Sequence, residues 1–159
     1  MSKRENNTNL TLLADYPSRL RLKVVWGQMD AFGHVNNTVY FRYFESARIQ
    51  YFDDLKLNKF MTKGGIGPIL ANTSCQFKQP LVFPDDIWVG TKTLSMGKSS
   101  LVMEHIIVSD KLGEVASGQA VAVMVDYTKG HKTAIPMELR KAVEAYENMS
   151  FDTIPKSDG

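Results

Sequence analysis

The chain has 159 residues, 43% of them hydrophobic and 23% charged, which fits one globular domain and excludes fibrous and disordered classes. Nineteen Lys and Arg against 17 Asp and Glu leave a net charge of +2, too balanced for a nucleic-acid binder. Cys75 is the only cysteine, the first fifteen residues lack the apolar core of a signal peptide, and no run approaches ~18 apolar residues, so a cytoplasmic chain without disulfide or membrane association is expected.

Residues 1–18 show no clear periodicity and read as an N-terminal arm. From Leu20 to Trp26 apolar residues fall at every second position, the pattern of a half-buried strand, and 27–37 reads as a loop. Tyr40, Phe44, Ala47, Tyr51 and Leu55 then fall on one stripe at about 100° per residue, so the spacing predicts a helix over 38–55. Phe41 and Phe52 widen the stripe, which suits a helix packed deep against a sheet. Arg48 lands inside it, and an intrahelical pair with Glu45 is the expected compensation. The segment 64–68 carries three glycines and a proline and should be irregular. Strands are predicted over 69–77, 87–94, 101–108 and 115–127, where β-branched and aromatic residues alternate with turn signals, and the last three should form an antiparallel meander. Pro136 opens a short helix carrying Leu139, Val143 and Tyr146. The domain proper is expected over 19–149, followed by a flexible tail over 150–159. The order strand, long apolar helix, four strands, short helix predicts an α+β fold in which a curved antiparallel sheet wraps one long central helix.

That order, together with V-V-W-G-Q-M-D-A-F-G-H-V-N-N-T-V-Y-F-R-Y-F-E-S-A-R over 24–48, resembles the hotdog fold, in particular the 4-hydroxybenzoyl-CoA thioesterase branch. The resemblance rests on Asp30, Gly33, His34, Val35, Asn36, Asn37 and Tyr40, then Phe44-Glu45 and Ala47-Arg48, with weaker echoes out to about residue 148. It implies an acyl-CoA thioesterase that forms homodimers or homotetramers with sites at the subunit interface and needs no cofactor. The alternatives are an acyl-carrier-protein thioesterase and a hotdog module that binds acyl-CoA without turnover. Two departures stand out. Met29 replaces the small polar residue usual before the aspartate, and Asn37 stands where a sub-branch has a second catalytic histidine.

Thioester hydrolysis needs an activated water or a nucleophile, and donors for the developing oxyanion. Asp30, between an apolar strand and a helix start, is expected to be the general base or nucleophile. His34 would orient it or shuttle a proton. Backbone amides at the helix start near Asn37 would form the oxyanion hole, with Gly33 giving the loop its turn and Asn36 or Asn37 capping the helix. Tyr40 and Gly65 are expected to shape the substrate site. The phosphates of CoA would meet Lys98 and its neighbours Ser99 and Ser100, together with Lys129 and Lys132. No metal is required. His105, alternating within a strand, is expected to be structural.

Overall fold

A computed structural model describes residues 3–151 of the chain, with side chains from Thr8 onward. The long helix, α2, runs Asn37–Asp54. It forms as its spacing dictates: Tyr40, Phe44, Ala47 and Tyr51 are each at most 3% exposed. Around it stand β1 (Ser18–Lys23), β2 (Ile66–Phe77), β3 (Asp86–Met96), β4 (Ser100–Ser109) and β5 (Gly113–Asp126). They form one antiparallel sheet in the order β1-β3-β4-β5-β2, so the predicted meander β3-β4-β5 is present and β1 and β2 close its two sides. Register shifts at Leu70/Asn72, Thr93/Ser95 and Ile107/Val108 add local twist, which helps the sheet curl around the helix.

The core between sheet and helix has two parts. One gathers Tyr40, Tyr43, Phe44, Leu81, Ile87, Val89 and Ile107; the other gathers Tyr51, Leu101, Met103 and Met124 with Leu139 and Val143 of α4 (Met137–Glu147). Gly118 sits where Phe44 presses onto β5. A Cβ there would lie 2.2 Å from the Ser74 carbonyl oxygen and 2.6 Å from Phe44 Cε2, so the helix can approach the sheet this closely only over glycine. On the opposite face of the sheet Leu13 and Tyr16 cover Ile106 and Val108, which alternate along β4 with the inward-facing residues. Helix α1 (Lys3–Leu12) leads into this contact.

Arg48 feels the charge of Glu45, which favours the protonated guanidinium against the cost of burial, but the two do not make the close intrahelical ion pair expected for them. None of the ion pairs among the described residues joins it to Glu45. Its Nη1 instead lies 3.5 Å from His105 Nε2, while His105 Nδ1 lies 2.9 Å from Thr91 Oγ1. A guanidinium only donates, so Nε2 is the accepting nitrogen and Nδ1 carries the proton toward Thr91. The imidazole is fully buried and stacks on Phe44, with ring centroids 4.9 Å apart and planes at 15°. Burial, and after it the charge of Arg48, pushes the His105 pKa down to about 3, so the ring is neutral.

Other differences have local causes. The strand read over 20–26 ends at Lys23, and Trp26, 75% exposed, opens a 3₁₀ turn, Trp26–Gln28. Ahead of β2 a polar helix, α3 (Asn58–Gly64), ends on Gly65 in the left-handed conformation. β2 then starts at Ile66 and includes Pro68, which an edge strand tolerates because it has a free side for the missing N–H. A two-residue strand, β6 (His131–Lys132), pairs with the end of β5. Opposite Thr91, β1 stops, and the next outward-facing amide of β3, Thr93 N–H, is taken by the Glu147 carboxylate of α4 at 2.6 Å. Tyr51 donates to the same Glu147 oxygen at 2.7 Å. From residue 152 on, the expected flexible tail lies outside the described residues. Among the described residues no helix is long and apolar enough to cross a membrane.

Candidate functional site

Asp30 lies in the loop between β1 and α2, and that loop is folded by its own backbone. Met29 pairs with Val35 in an isolated bridge, Asp30 N–H donates to the His34 carbonyl at 2.7 Å, and Gly33 N–H donates to the Asp30 carbonyl at 3.2 Å. Gly33 makes the turn with φ of 81°, a conformation in which a side chain would be strained. One Asp30 oxygen, Oδ1, accepts from Phe32 N–H at 2.8 Å. No hydrogen bond to Oδ2 exists among the described residues, so half of the carboxylate is free for chemistry. Met29 sends its sulfur to Phe83 N–H at 3.4 Å, which ties the loop to the segment preceding β3.

Asn36 is the cap of α2. Its side-chain oxygen accepts from Thr38 N–H at 2.9 Å and from the Thr38 hydroxyl at 2.8 Å. Val39 N–H is taken by the Asn36 carbonyl. Asn37 N–H has no partner among the described residues, which leaves one donor at the positive end of an eighteen-residue helix. A cleft of about 300 Å³ brings the parts together, lined by Asp30, His34, Asn37, Tyr40 and, across from them, Phe77 to Pro80. Tyr40 fixes that far wall: its oxygen accepts from Leu81 N–H at 3.1 Å and its proton points at the Gln79 carbonyl at 3.5 Å. Burial holds the Tyr40 phenol above its ordinary pKa, so it remains a protonated donor. The wall is apolar at Phe77, whose ring meets Tyr40 edge-on at 5.0 Å.

Of the residues predicted from sequence, Asp30, Gly33, His34, Asn36, Asn37 and Tyr40 thus come together. Gly65, Lys98, Ser99, Ser100, Lys129 and Lys132 do not join them. They gather at the other end of the sheet: Lys98 to Ser100 turn from β3 into β4 beside Met124 and Ile135, Gly65 receives Tyr127 N–H, and Lys129 and Lys132 follow β5. The two ends of β2, Phe77 at the cleft and Ile66 beside Gly65, are eleven residues apart, or roughly 36 Å in extended chain. Within one copy of the chain the lysines are out of reach of Asp30. Sequence reasoning missed Gln79, Tyr43 and Gln28. Gln79 sits in an irregular connection where no periodicity marks it, and the other two are recognisable only through a contact fifteen residues apart.

The thioesterase-like superfamily model matches residues 24–143, three quarters of the chain. Bacillus subtilis YsmA, an uncharacterised protein, is 31% identical over 115 residues, covering 72% of this chain and 76% of YsmA. Escherichia coli FadM, a long-chain acyl-CoA thioesterase, is 23% identical over 125 residues, covering 78% of this chain and 95% of FadM. A thioesterase from Thermus thermophilus, solved in complex with coenzyme A and Zn, superposes with a TM-score of 0.76 at 29% identity, covering 86% of this chain and 98% of that one. A curled antiparallel sheet around a central helix, a carboxylate loop at that helix's start and a family match spanning both make this chain a hotdog-fold thioester hydrolase of the thioesterase-like superfamily.

Proposed function

We propose that the chain hydrolyses acyl-CoA thioesters with Asp30 as the catalytic carboxylate. The observation that carries this reading is a pairing: a carboxylate with one unengaged oxygen and a helix-start amide, Asn37 N–H, without a partner, both lining the same cleft. Asp30 would either take a proton from water or attack the thioester carbon directly, giving an anhydride that water then opens. In both routes the carbonyl oxygen gains negative charge, which Asn37 N–H and the α2 dipole would stabilise. The thiolate of CoA leaves and is protonated, and the acyl group departs as a carboxylic acid. His34 would shuttle protons at the cleft mouth, and Tyr40 and Phe77 would shape the acyl side. Coenzyme A as the thiol is supported by the Thermus neighbour's ligand and by FadM's substrate.

The same reading includes a homodimer. β2 is a twelve-residue edge strand whose Ile69, Leu70 and Phe77 are all more than 40% exposed. Antiparallel pairing of two β2 strands across a two-fold axis would satisfy that edge and bring the Ile66 end of one copy beside the Phe77 end of the other. Lys129, Lys132 and the Lys98 turn of one copy would then meet the CoA phosphates at the Asp30 cleft of its partner.

The test is Asp30→Asn, assayed by thiol release from a series of acyl-CoAs. The variant should retain circular dichroism and elution volume and lose at least about a hundredfold in kcat, the size of effect expected for a positioned base or nucleophile. Near wild-type turnover would remove Asp30 from the mechanism.

A further inference from the structure

The Asp30 loop raises a question of rigidity. Ala31 to His34 are all exposed, Phe32 by 86%, so no packing of the loop tip holds the carboxylate in place. Backbone bonds inside the loop fix its shape, and Met29 and Val35 tie its stems to the segment before β3, but a tie to the body of the helix whose amide would receive the oxyanion has to come from a side chain.

That position depends on Gln28, two residues before Asp30. Four hydrogen bonds meet on it. Its N–H donates to the Val25 carbonyl at 3.0 Å, and its carbonyl accepts from Asn36 N–H at 2.9 Å. Its side-chain Oε1 accepts from Val25 N–H at 3.0 Å and from the Tyr43 hydroxyl at 2.7 Å. The first three bonds join the strand exit, the loop and the helix cap, all of which belong to the loop or its stems. Only the fourth reaches into the body of α2, two turns in, from a phenol that is 3% exposed. Tyr43 itself is fixed in the core with Tyr40, Phe44 and Leu81.

We infer that Tyr43 and Gln28 form a positioning pair for the reaction: the buried phenol, through the Gln28 carboxamide oxygen, sets the placement of the Asp30 carboxylate against the Asn37 amide. Neither residue touches substrate. Burial keeps the Tyr43 phenol protonated far above neutral pH, so the donor is always available. The inference rests on the reading of Asp30 as the catalytic carboxylate. Loss of the bond lets the loop shift by fractions of an ångström, and misplacements of about 1 Å are enough to lower rates up to about a hundredfold.

The experiment is a double-mutant cycle on kcat and KM for acyl-CoA hydrolysis, with Asp30→Asn run beside it. Tyr43→Phe removes the hydroxyl and keeps the ring; Gln28→Met keeps the length and removes the acceptor; Gln28→Glu keeps the acceptor oxygen. Tyr43→Phe and Gln28→Met should each lower kcat about tenfold with KM nearly unchanged, and the double variant should be no slower than Gln28→Met alone. Gln28→Glu should recover most of the rate lost in Gln28→Met and fail to do so when Tyr43 is Phe. A purely structural role predicts the opposite: lower melting temperature, unchanged kcat in the folded fraction, and losses that simply add. That outcome overturns the inference, as does a wild-type kcat in Gln28→Met. If Tyr43→Phe does not fold, the contrast between Gln28→Met and Gln28→Glu decides alone. Full activity in Asp30→Asn would refute the Asp30 reading, whereas inactive Asp30→Asn with fully active Tyr43→Phe and Gln28→Met refutes the positioning pair only.

Discussion

Lowering the pH from 7 to 5 is expected to weaken the fold by about 2 kcal/mol through His105 alone. In the folded chain the ring is wedged between Phe44, Thr91 and the Arg48 guanidinium, and its pKa lies near 3. In the unfolded chain it returns to the ordinary value of 6.5. A folded pKa below the unfolded one means that the stabilisation is complete above the unfolded value and is lost as pH falls through the window from about 6.5 to 3. At pH 5 the unfolded chain has bound nearly one proton that the folded chain refuses, and integrating the linkage relation from pH 7 gives that loss of about 2 kcal/mol. The size depends little on the folded pKa so long as it stays well under 5. His105→Gln supplies the reference, because it keeps a hydrogen-bonding group near Thr91 but does not titrate. Urea unfolding of both proteins at pH 7, 6 and 5 measures the effect: the wild type is more stable at pH 7, and the gap should shrink by about 2 kcal/mol by pH 5. His34 and His131 remain in both proteins and cancel. A gap that does not change with pH, or an imidazole proton resonance of His105 titrating above pH 5, would refute the reasoning.

Two further outcomes follow from close contacts and from the length of β2. Gly118→Ala should destabilise the fold by about 1–3 kcal/mol, because its methyl meets the Ser74 carbonyl and the Phe44 ring together; calorimetry reads this as a lower melting temperature. If sites form across a two-fold axis, mixing inactive Asp30→Asn with a variant blocked by a bulky residue at Gly65 should restore partial turnover, since each mixed dimer holds one intact site. Proven subunit exchange without recovery, or a fully active monomer in sedimentation, would rule that arrangement out.

The helix and the meander were legible because their burial is periodic: the stripe from Tyr40 to Leu55 and the strands β3 to β5 repeat at the spacing their geometry requires. Helix α3 was not. Asn58 to Gly64 carries no apolar stripe, and the glycines and proline after it read as a break, although Gly65 is that helix's left-handed cap and Pro68 lies in an edge strand. At the site the motif around Asp30 predicted which residues cluster near α2's start. It gave no sign that the lysines lie at the far end of the sheet, because that separation is set by strand lengths and order. Arg48 shows the same limit: its charge neighbour in the helix, Glu45, was visible at three residues' distance, but the ring it also meets, His105, is 57 residues away on β4.

The Glu147 carboxylate on Thr93 N–H bears on how this sheet can grow. A β-sheet with two open sides adds strands in both directions and so polymerises; one with a single open side stops after one addition. Here β1 is six residues long and carries Arg19, Arg21 and Lys23, and where it ends an acidic side chain occupies the next free amide of β3. Glu147 thus takes the place on β3 that a longer β1 would fill. A strand arriving at that side therefore meets a short, basic edge and an amide already engaged, whereas β2 offers twelve residues of edge.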